Sequence, residues 1–402
     1  MLDVNFLGLK YKNPLLVASA PPSMDGDHMF RAIKAGLGGC VSKTIGLDKD
    51  IFPDVRPRLS PNRARGRLYG MQNIELITTH KLDWWVRELE IAKSAGPPLI
   101  VSVMAAYNAT DWQEIARWAE KHGADAIEMN MSCPHGTTEK GRGMALGQNP
   151  EMVENAVKWV KEAVQIPVLA KLTPNVSDIV PQAKAAEKAG ADGLTAINTV
   201  LALSGVDIYT GKVQPNVKGH STMGGNCGPM VRPLGLRFVA DIAQNTNLPV
   251  SGIGGIDSWE NVIEYIMVGA TTVQVCTAIM WYGYDIVAEW KKNIEIFMKE
   301  YGYSSFEDMR GCALKSLGKY GDLKVDENVV PVVDEDKCTA CNRCVVSCRD
   351  AASVAIKLEG KAVVDKEKCI GCGLCTIVCP YGAITMIEEE RKKERKIPAW
   401  AA

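Results

Sequence analysis

A chain of 402 residues, 47% of them hydrophobic, is long enough to bury one large core and one small one. Its formal net charge of −1 argues against a nucleic acid or membrane surface recognised through bulk charge, and no apolar run reaches the roughly 18 residues of a spanning helix. The opening Met1-Leu2-Asp3-Val4-Asn5 has no basic stretch leading into an apolar one, so no secretory leader is expected and a cytoplasmic protein is.

In chain order, β-branched runs predict strands at Leu15–Ser19, Cys40–Thr44, Leu99–Met104, Ala126–Asn130, Val168–Leu172, Gly193–Asn198, Val250–Ile253 and Thr272–Cys276. They are mostly continuous apolar runs rather than strict alternations, as parallel strands buried on both faces are. Helices fall between them. One is predicted over Asp111–His122, with Thr110 and Gln113 as a capping box and Trp112, Ile115, Ala116 and Ala119 as its apolar stripe. Others follow Asn149-Pro150, span Pro181–Lys188 and open at Ser258. Eight strands in such alternation predict an α/β chain with a closed (β/α)8 barrel over residues 1–300.

Beyond it the pattern loosens, and 301–332 reads as a linker with one helix. A cysteine-rich module follows over 333–388, and 389–402 reads as a charged tail. Eight of the 13 cysteines fall in that module, as Cys338-x2-Cys341-x2-Cys344-x3-Cys348 and Cys369-x2-Cys372-x2-Cys375-x3-Cys379-Pro380. A tight run delivers three thiolates to one [4Fe–4S] cubane, and in two-cluster ferredoxins the last cysteine of each run serves the other cluster. Cys338, Cys341, Cys344 and Cys379 would then hold one cluster, and Cys369, Cys372, Cys375 and Cys348 the second. Zinc knuckles also use Cys-x2-Cys, but they rarely need a third cysteine at that spacing, and here it occurs twice. The module resembles bacterial ferredoxins, apart from Arg349 where a proline would follow Cys348.

Barrels place their chemistry at the C-terminal ends of the strands, with phosphate often bound after the seventh and eighth. Those ends read Ser251-Gly252-Ile253-Gly254-Gly255-Ile256 and Gln274-Val275-Cys276-Thr277. With Asn73-Ile74-Glu75, Glu128-Met129-Asn130-Met131-Ser132-Cys133-Pro134-His135-Gly136, Ala170-Lys171-Leu172-Thr173-Pro174-Asn175 and Asn198-Thr199, the first 290 residues resemble the FMN barrel of dihydropyrimidine dehydrogenases, and more distantly that of dihydroorotate dehydrogenases.

The resemblance implies FMN contacts at Ala18, Ser19, Lys43, Thr44, Asn130, Lys171, Asn198, Gly228, Gly254, Gly255, Cys276 and Thr277. It implies catalytic or substrate roles for Lys171, Asn73, Asn130, Ser132, Asn198 and Thr199. A lysine beside the flavin stabilises negative charge on its reduced form. Carboxamides suit a ring of alternating N–H and C=O groups. Glu75 is expected to orient the neighbourhood of Asn73, His135 to be structural, and Cys40, Cys227 and Cys312 to be packing residues.

One position departs from the family. Where a mobile loop should carry an acidic cysteine before Gly-Gln, this chain has Ala145-Leu146-Gly147-Gln148, and leucine donates no proton. Lys140, His135 or water would substitute, or the substrate differs, with Gly136 to Gly147 kept as a lid.

The implied reaction is reduction, or formation, of the activated C=C bond of a small cyclic amide, uracil or thymine first. A related ene-reductase for another unsaturated substrate, and a non-catalytic electron carrier, remain alternatives. No Gly-x-Gly-x-x-Gly fingerprint is present, so electrons are expected from an FAD-carrying, NAD(P)H-dependent partner subunit or a ferredoxin-type donor. An oligomer is expected too.

Overall fold

The computed structural model describes residues 2–51, 54–134, 141–324 and 329–388. The chain divides into two compact units between Leu317 and Gly318.

The first is a closed barrel of eight parallel strands: β1 (Leu15–Val17), β2 (Gly39–Val41), β3 (Leu99–Val103), β4 (Ala126–Asn130), β5 (Val168–Lys171), β6 (Gly193–Ala196), β7 (Val250–Ile253) and β8 (Ala270–Val275). Each pairs with the next, and β8 closes on β1 through Val273–Leu15, Gln274–Leu16 and Val275–Val17. All eight predicted runs are these strands. Every residue in them is buried except Ile253, which is why their sequence is mostly apolar. Each buried Val, Leu or Ile side chain contributes about 1.5–3 kcal/mol, so the strands and the helices that cover them form one core.

The helix after β3 is Ala109–Lys121, and its cap is not Thr110. Asn108 takes that role, its Oδ1 accepting from the Asp111 N–H at 2.8 Å. Asparagine caps at least as well as threonine, and it comes two residues earlier. Asn149 caps Pro150–Lys161 as expected, accepting from the Glu151 and Met152 N–H groups. Ser258 does precede Trp259–Met267, but its side chain makes no cap bond.

A four-stranded antiparallel sheet, absent from the sequence reading, is inserted after β2 and β6. Its order is Val200–Ala202, Gly224–Cys227, Arg67–Asn73, Leu59–Ala64. Gly225 explains its close approach to the barrel mouth: a Cβ there would collide with the Thr199 side chain and crowd Pro134.

The stretch read as a linker is structured at both ends. Phe306 and Met309, in the short helix Phe306–Met309, belong to the barrel's core. Val329–Val333 is a strand paired with Ile384–Glu388 inside the second unit. Apolar residues spaced too irregularly for one helix hid both. The second unit adds the hairpin Ile356–Glu359/Lys361–Val364 and the helices Arg343–Ala351 and Leu374–Val378, each opening within a cysteine run. No helix among the described residues is long and apolar enough to cross a membrane.

Candidate functional site

The strands deliver their ends to one cleft with about 1020 Å³ of empty space, its mouth included. Ala18 and Ser19 come from the end of β1, Lys43 and Thr44 from β2, Asn130 from β4 and Lys171 from β5. Asn198 and Thr199 follow β6, Gly254 and Gly255 follow β7, and Gln274, Cys276 and Thr277 come from β8. The inserted sheet adds Leu59, Met71, Asn73, Asn226 and Cys227. Residues far apart in sequence thus share a wall because parallel strands all end on one side.

Three predicted residues are not on that wall. Ser132 is fully buried behind it, where its Oγ accepts from Asn198 Nδ2 at 2.8 Å and donates to Asn130 Oδ1 at 3.2 Å. Gly228 sits against Thr277 and Trp281. Leu146 is fully buried in the barrel core, on the short helix Met144–Gly147. It therefore forms no part of an apolar wall facing a ligand. His135, Lys140 and the loop from Gly136 to Lys140 lie outside the described residues, as does the charged tail. Of the cysteines read as packing residues, Cys40 is buried in the core and Cys312 is half-buried against it. Cys227 lines the cleft instead.

The carboxamides form a connected row. Asn130 Nδ2 donates to Thr44 Oγ1 at 2.9 Å, and Asn198 Nδ2 donates to Asn130 Oδ1 at 3.3 Å. Asn198 Oδ1 accepts from the Thr199 N–H at 2.7 Å, and Ser19 Oγ and Thr44 Oγ1 are 3.0 Å apart. Beneath them Lys171 Nζ donates to Glu128 Oε1 at 3.1 Å. Glu128 is fully buried and also accepts from Thr195 Oγ1 at 3.0 Å and Gln274 Nε2 at 2.8 Å. Glu128 had no role in the sequence reading, although a glutamate inside the apolar run Ala126–Asn130 signals a buried partner. Glu75 is on the wall, paired with Lys43 and with Arg58 Nε at 2.9 Å.

Three thiols line the cleft: Cys133, Cys227 and Cys276. Burial pushes Cys227 up to about 11 and Cys276 up to about 12, so neither is a thiolate at neutral pH.

The wall fits a flavin nucleotide. Gln274 Oε1 and Asn226 Nδ2 are buried there without hydrogen-bond partners, the first needing a donor and the second an acceptor. Gly254 and Gly255 stand beside Thr277, and a Cβ on Gly255 would meet the backbone N of Arg232 at 2.5 Å. That crowding keeps bare backbone on the wall, as a phosphate needs.

In the second unit Cys338, Cys341, Cys344 and Cys379 line one small cavity, and Cys348, Cys369, Cys372 and Cys375 line another. The last cysteine of each run has crossed to the other set. Two sets of four thiols, each drawn from both runs, match the ligand sets of two cubanes. Backbone N–H groups of Ala355, Gly371 and Ala383 donate to Cys348, Cys369 and Cys379 at 3.3, 3.4 and 3.3 Å. Hydrogen bonds to ligating sulfurs are among the features that set a cluster's reduction potential.

Comparison with known proteins adds names to this geometry. Dihydroorotate dehydrogenase as a family matches residues 1–298, and the 4Fe-4S dicluster domain matches residues 331–386. Over 366 residues the chain is 37% identical to the NAD-dependent dihydropyrimidine dehydrogenase subunit PreA of Escherichia coli (strain K12), covering 90% of this chain and 88% of that one. It is 37% identical over 336 residues to the chloroplastic dihydropyrimidine dehydrogenase (NADP(+)) of Arabidopsis thaliana, covering 80% of this chain and 79% of that one. Over 319 residues it is 42% identical to the catalytic subunit of dihydroorotate dehydrogenase B (NAD(+)) from Pyrococcus abyssi, covering 78% of this chain and 100% of that one.

Proposed function

Because the chain belongs to the dihydroorotate dehydrogenase family and joins its barrel to a 4Fe-4S dicluster domain, we propose that it reduces the activated C=C bond of a neutral pyrimidine, uracil or thymine. FMN and two [4Fe–4S] clusters are the cofactors of this reading. The observation that carries it is the placement of three carboxamides, Asn73, Asn130 and Asn198, on the cleft wall, with Asn130 and Asn198 hydrogen-bonded to each other. A carboxamide carries both kinds of group, donor and acceptor, which suits the alternating N–H and C=O edge of a pyrimidine. Ser132 and Thr44 fix the rotamers of Asn130 and Asn198, so the row is ordered before the ring arrives.

The flavin is assigned to Ala18, Ser19, Lys43, Thr44, Lys171, Asn198, Gly254, Gly255, Cys276 and Thr277, with Gly228 supporting Thr277 from behind. When bound, it supplies the hydride. Lys171 keeps a positive charge on the wall to offset the charge that reduction adds, and Glu128 holds its ammonium in place. The ring carbon opposite the hydride needs a proton, and Leu146 cannot give it. Cys133 is the thiol that stands next to Ser132 on the wall, and it is assigned as donor. The clusters that the two cysteine sets would hold would take electrons from an FAD-bearing, nicotinamide-dependent partner subunit, in keeping with the word subunit in the name of the Escherichia coli relative.

The test is anaerobic turnover with a reduced viologen dye as donor, following loss of the uracil ring absorbance. Wild type consumes uracil, and Cys133→Ala is slower by roughly 10²- to 10⁴-fold, the range a general acid contributes. Wild type that leaves both uracil and thymine unchanged overturns the reading.

A further inference from the structure

Among the described residues lining the cleft, the charged groups are Lys43, Lys171 and Glu75. Lys171 is answered from below by Glu128, which does not line the cleft. Glu75 is the one carboxylate on the wall itself. It is only 9% exposed, and each of its oxygens is taken: Oε1 by Lys43 Nζ, Oε2 by Arg58 Nε at 2.9 Å. Arg58 reaches on to Asp54 at 3.9 Å. Burial and the neighbouring Glu75 raise the Asp54 carboxyl above its usual range. Lys43 is followed in the chain by Thr44, which accepts from Asn130. The Lys43–Glu75 pair therefore borders the carboxamide row.

Overall identity does not choose between the two ring types in the names of the relatives, being higher to a dihydroorotate enzyme than to the dihydropyrimidine ones. The rings differ by one charge. Uracil and thymine are neutral, while orotate and dihydroorotate carry a carboxylate. A carboxylate entering a buried site needs a cation, and one left unpaired is rejected at a cost of several kcal/mol.

We propose that Glu75 sets the ring specificity of this cleft: by occupying Lys43 it denies a substrate carboxylate its counter-ion and adds a repelling charge, so neutral rings enter and carboxylate-bearing ones do not. The inference rests on the ring-reduction reading above. Glu75 is a discriminating element that acts against the wrong ligand rather than for the right one. Its two cations hold it in place, so the discrimination needs no rearrangement when a neutral ring binds.

The test is equilibrium titration of the oxidised, flavin-loaded protein with uracil and with orotate, read from the flavin absorbance, in wild type, Glu75→Gln, Glu75→Asp and the double variant Glu75→Gln/Lys43→Met. Wild type should bind uracil more tightly than orotate by about 100-fold or more, on the scale of a close charge pair. Glu75→Gln frees the ammonium and should narrow that ratio at least about tenfold by tightening orotate, while Glu75→Asp keeps the wild-type ratio. In the double variant the gain for orotate should vanish. A wild-type ratio near one overturns the proposal whatever the variants do. So does a Glu75→Gln protein that retains flavin and an unchanged ratio, or a double variant that keeps the orotate gain. A wild type perturbed by neither ring overturns the ring-reduction reading and the inference with it, whereas uracil binding with an unmoved ratio overturns the inference alone.

Discussion

Lys171 and Glu128 are 3% and 0% exposed, so each charge depends on the other. Lys171→Ala would leave the Glu128 carboxylate with two neutral donors, Thr195 and Gln274, and should cost about 3 kcal/mol, measured as a lowered urea midpoint. Lys171→Met with Glu128→Gln should cost clearly less, because no uncompensated charge remains. Equal losses would show that the pair's electrostatics are unimportant to the fold. Leu146→Cys is the opposite case. Leu146 is in the core and off the cleft wall, so the substitution should bring no gain on uracil and should lower stability by roughly 1–3 kcal/mol through the lost methyl groups. A rate increase above tenfold would mean that the residue reaches substrate after all. At this scale the sequence displayed residues that carry a local motif, such as Asn130, Asn198 and the Gly254-Gly255 turn. It concealed Glu128, Gln274 and Asn226, whose importance lies in a neighbour far away in the chain.

The strands were legible because burial on both faces makes most of each run apolar or β-branched, as in Leu99–Val103 and Val168–Lys171. The inserted sheet was not. Leu59–Ala64 contains Pro61 and Asn62, and Gly224–Cys227 begins with two glycines, residue types that strands usually avoid. It forms because its members cross-pair above the barrel, through Gly225–Asn73 and Leu59–Asn73, and that pairing leaves no periodic signature. The cysteine runs gave the reverse: their likeness to two-cluster ferredoxins indicated which cysteine crosses to which set, and the two cavities group them in that way. The boundary between units was harder to see, because Phe306 and Met309 cover the barrel while Val329–Val333 serves the second unit. A chain ended at Leu317 should therefore fold and keep its flavin, and it should reduce uracil with a chemical reductant but not through a flavoprotein partner. Full partner-driven turnover by that shortened chain would remove the clusters from the electron path.

For the molecule as a whole the proposed function implies one direction of flow, from a partner into the cysteine-rich unit and out through the barrel cleft onto a ring. Two electrons and two protons convert one uracil to one 5,6-dihydrouracil, with a hydride delivered to one ring carbon and a proton to the other. Single turnover tests this most directly. The protein is reduced without oxygen, freed of excess reductant and mixed with uracil, and the flavin spectrum and the product are measured together. The account predicts flavin reoxidation with one dihydrouracil formed for each pair of electrons withdrawn. Protein that stays reduced in the presence of both uracil and thymine, with no dihydropyrimidine detected, would contradict it.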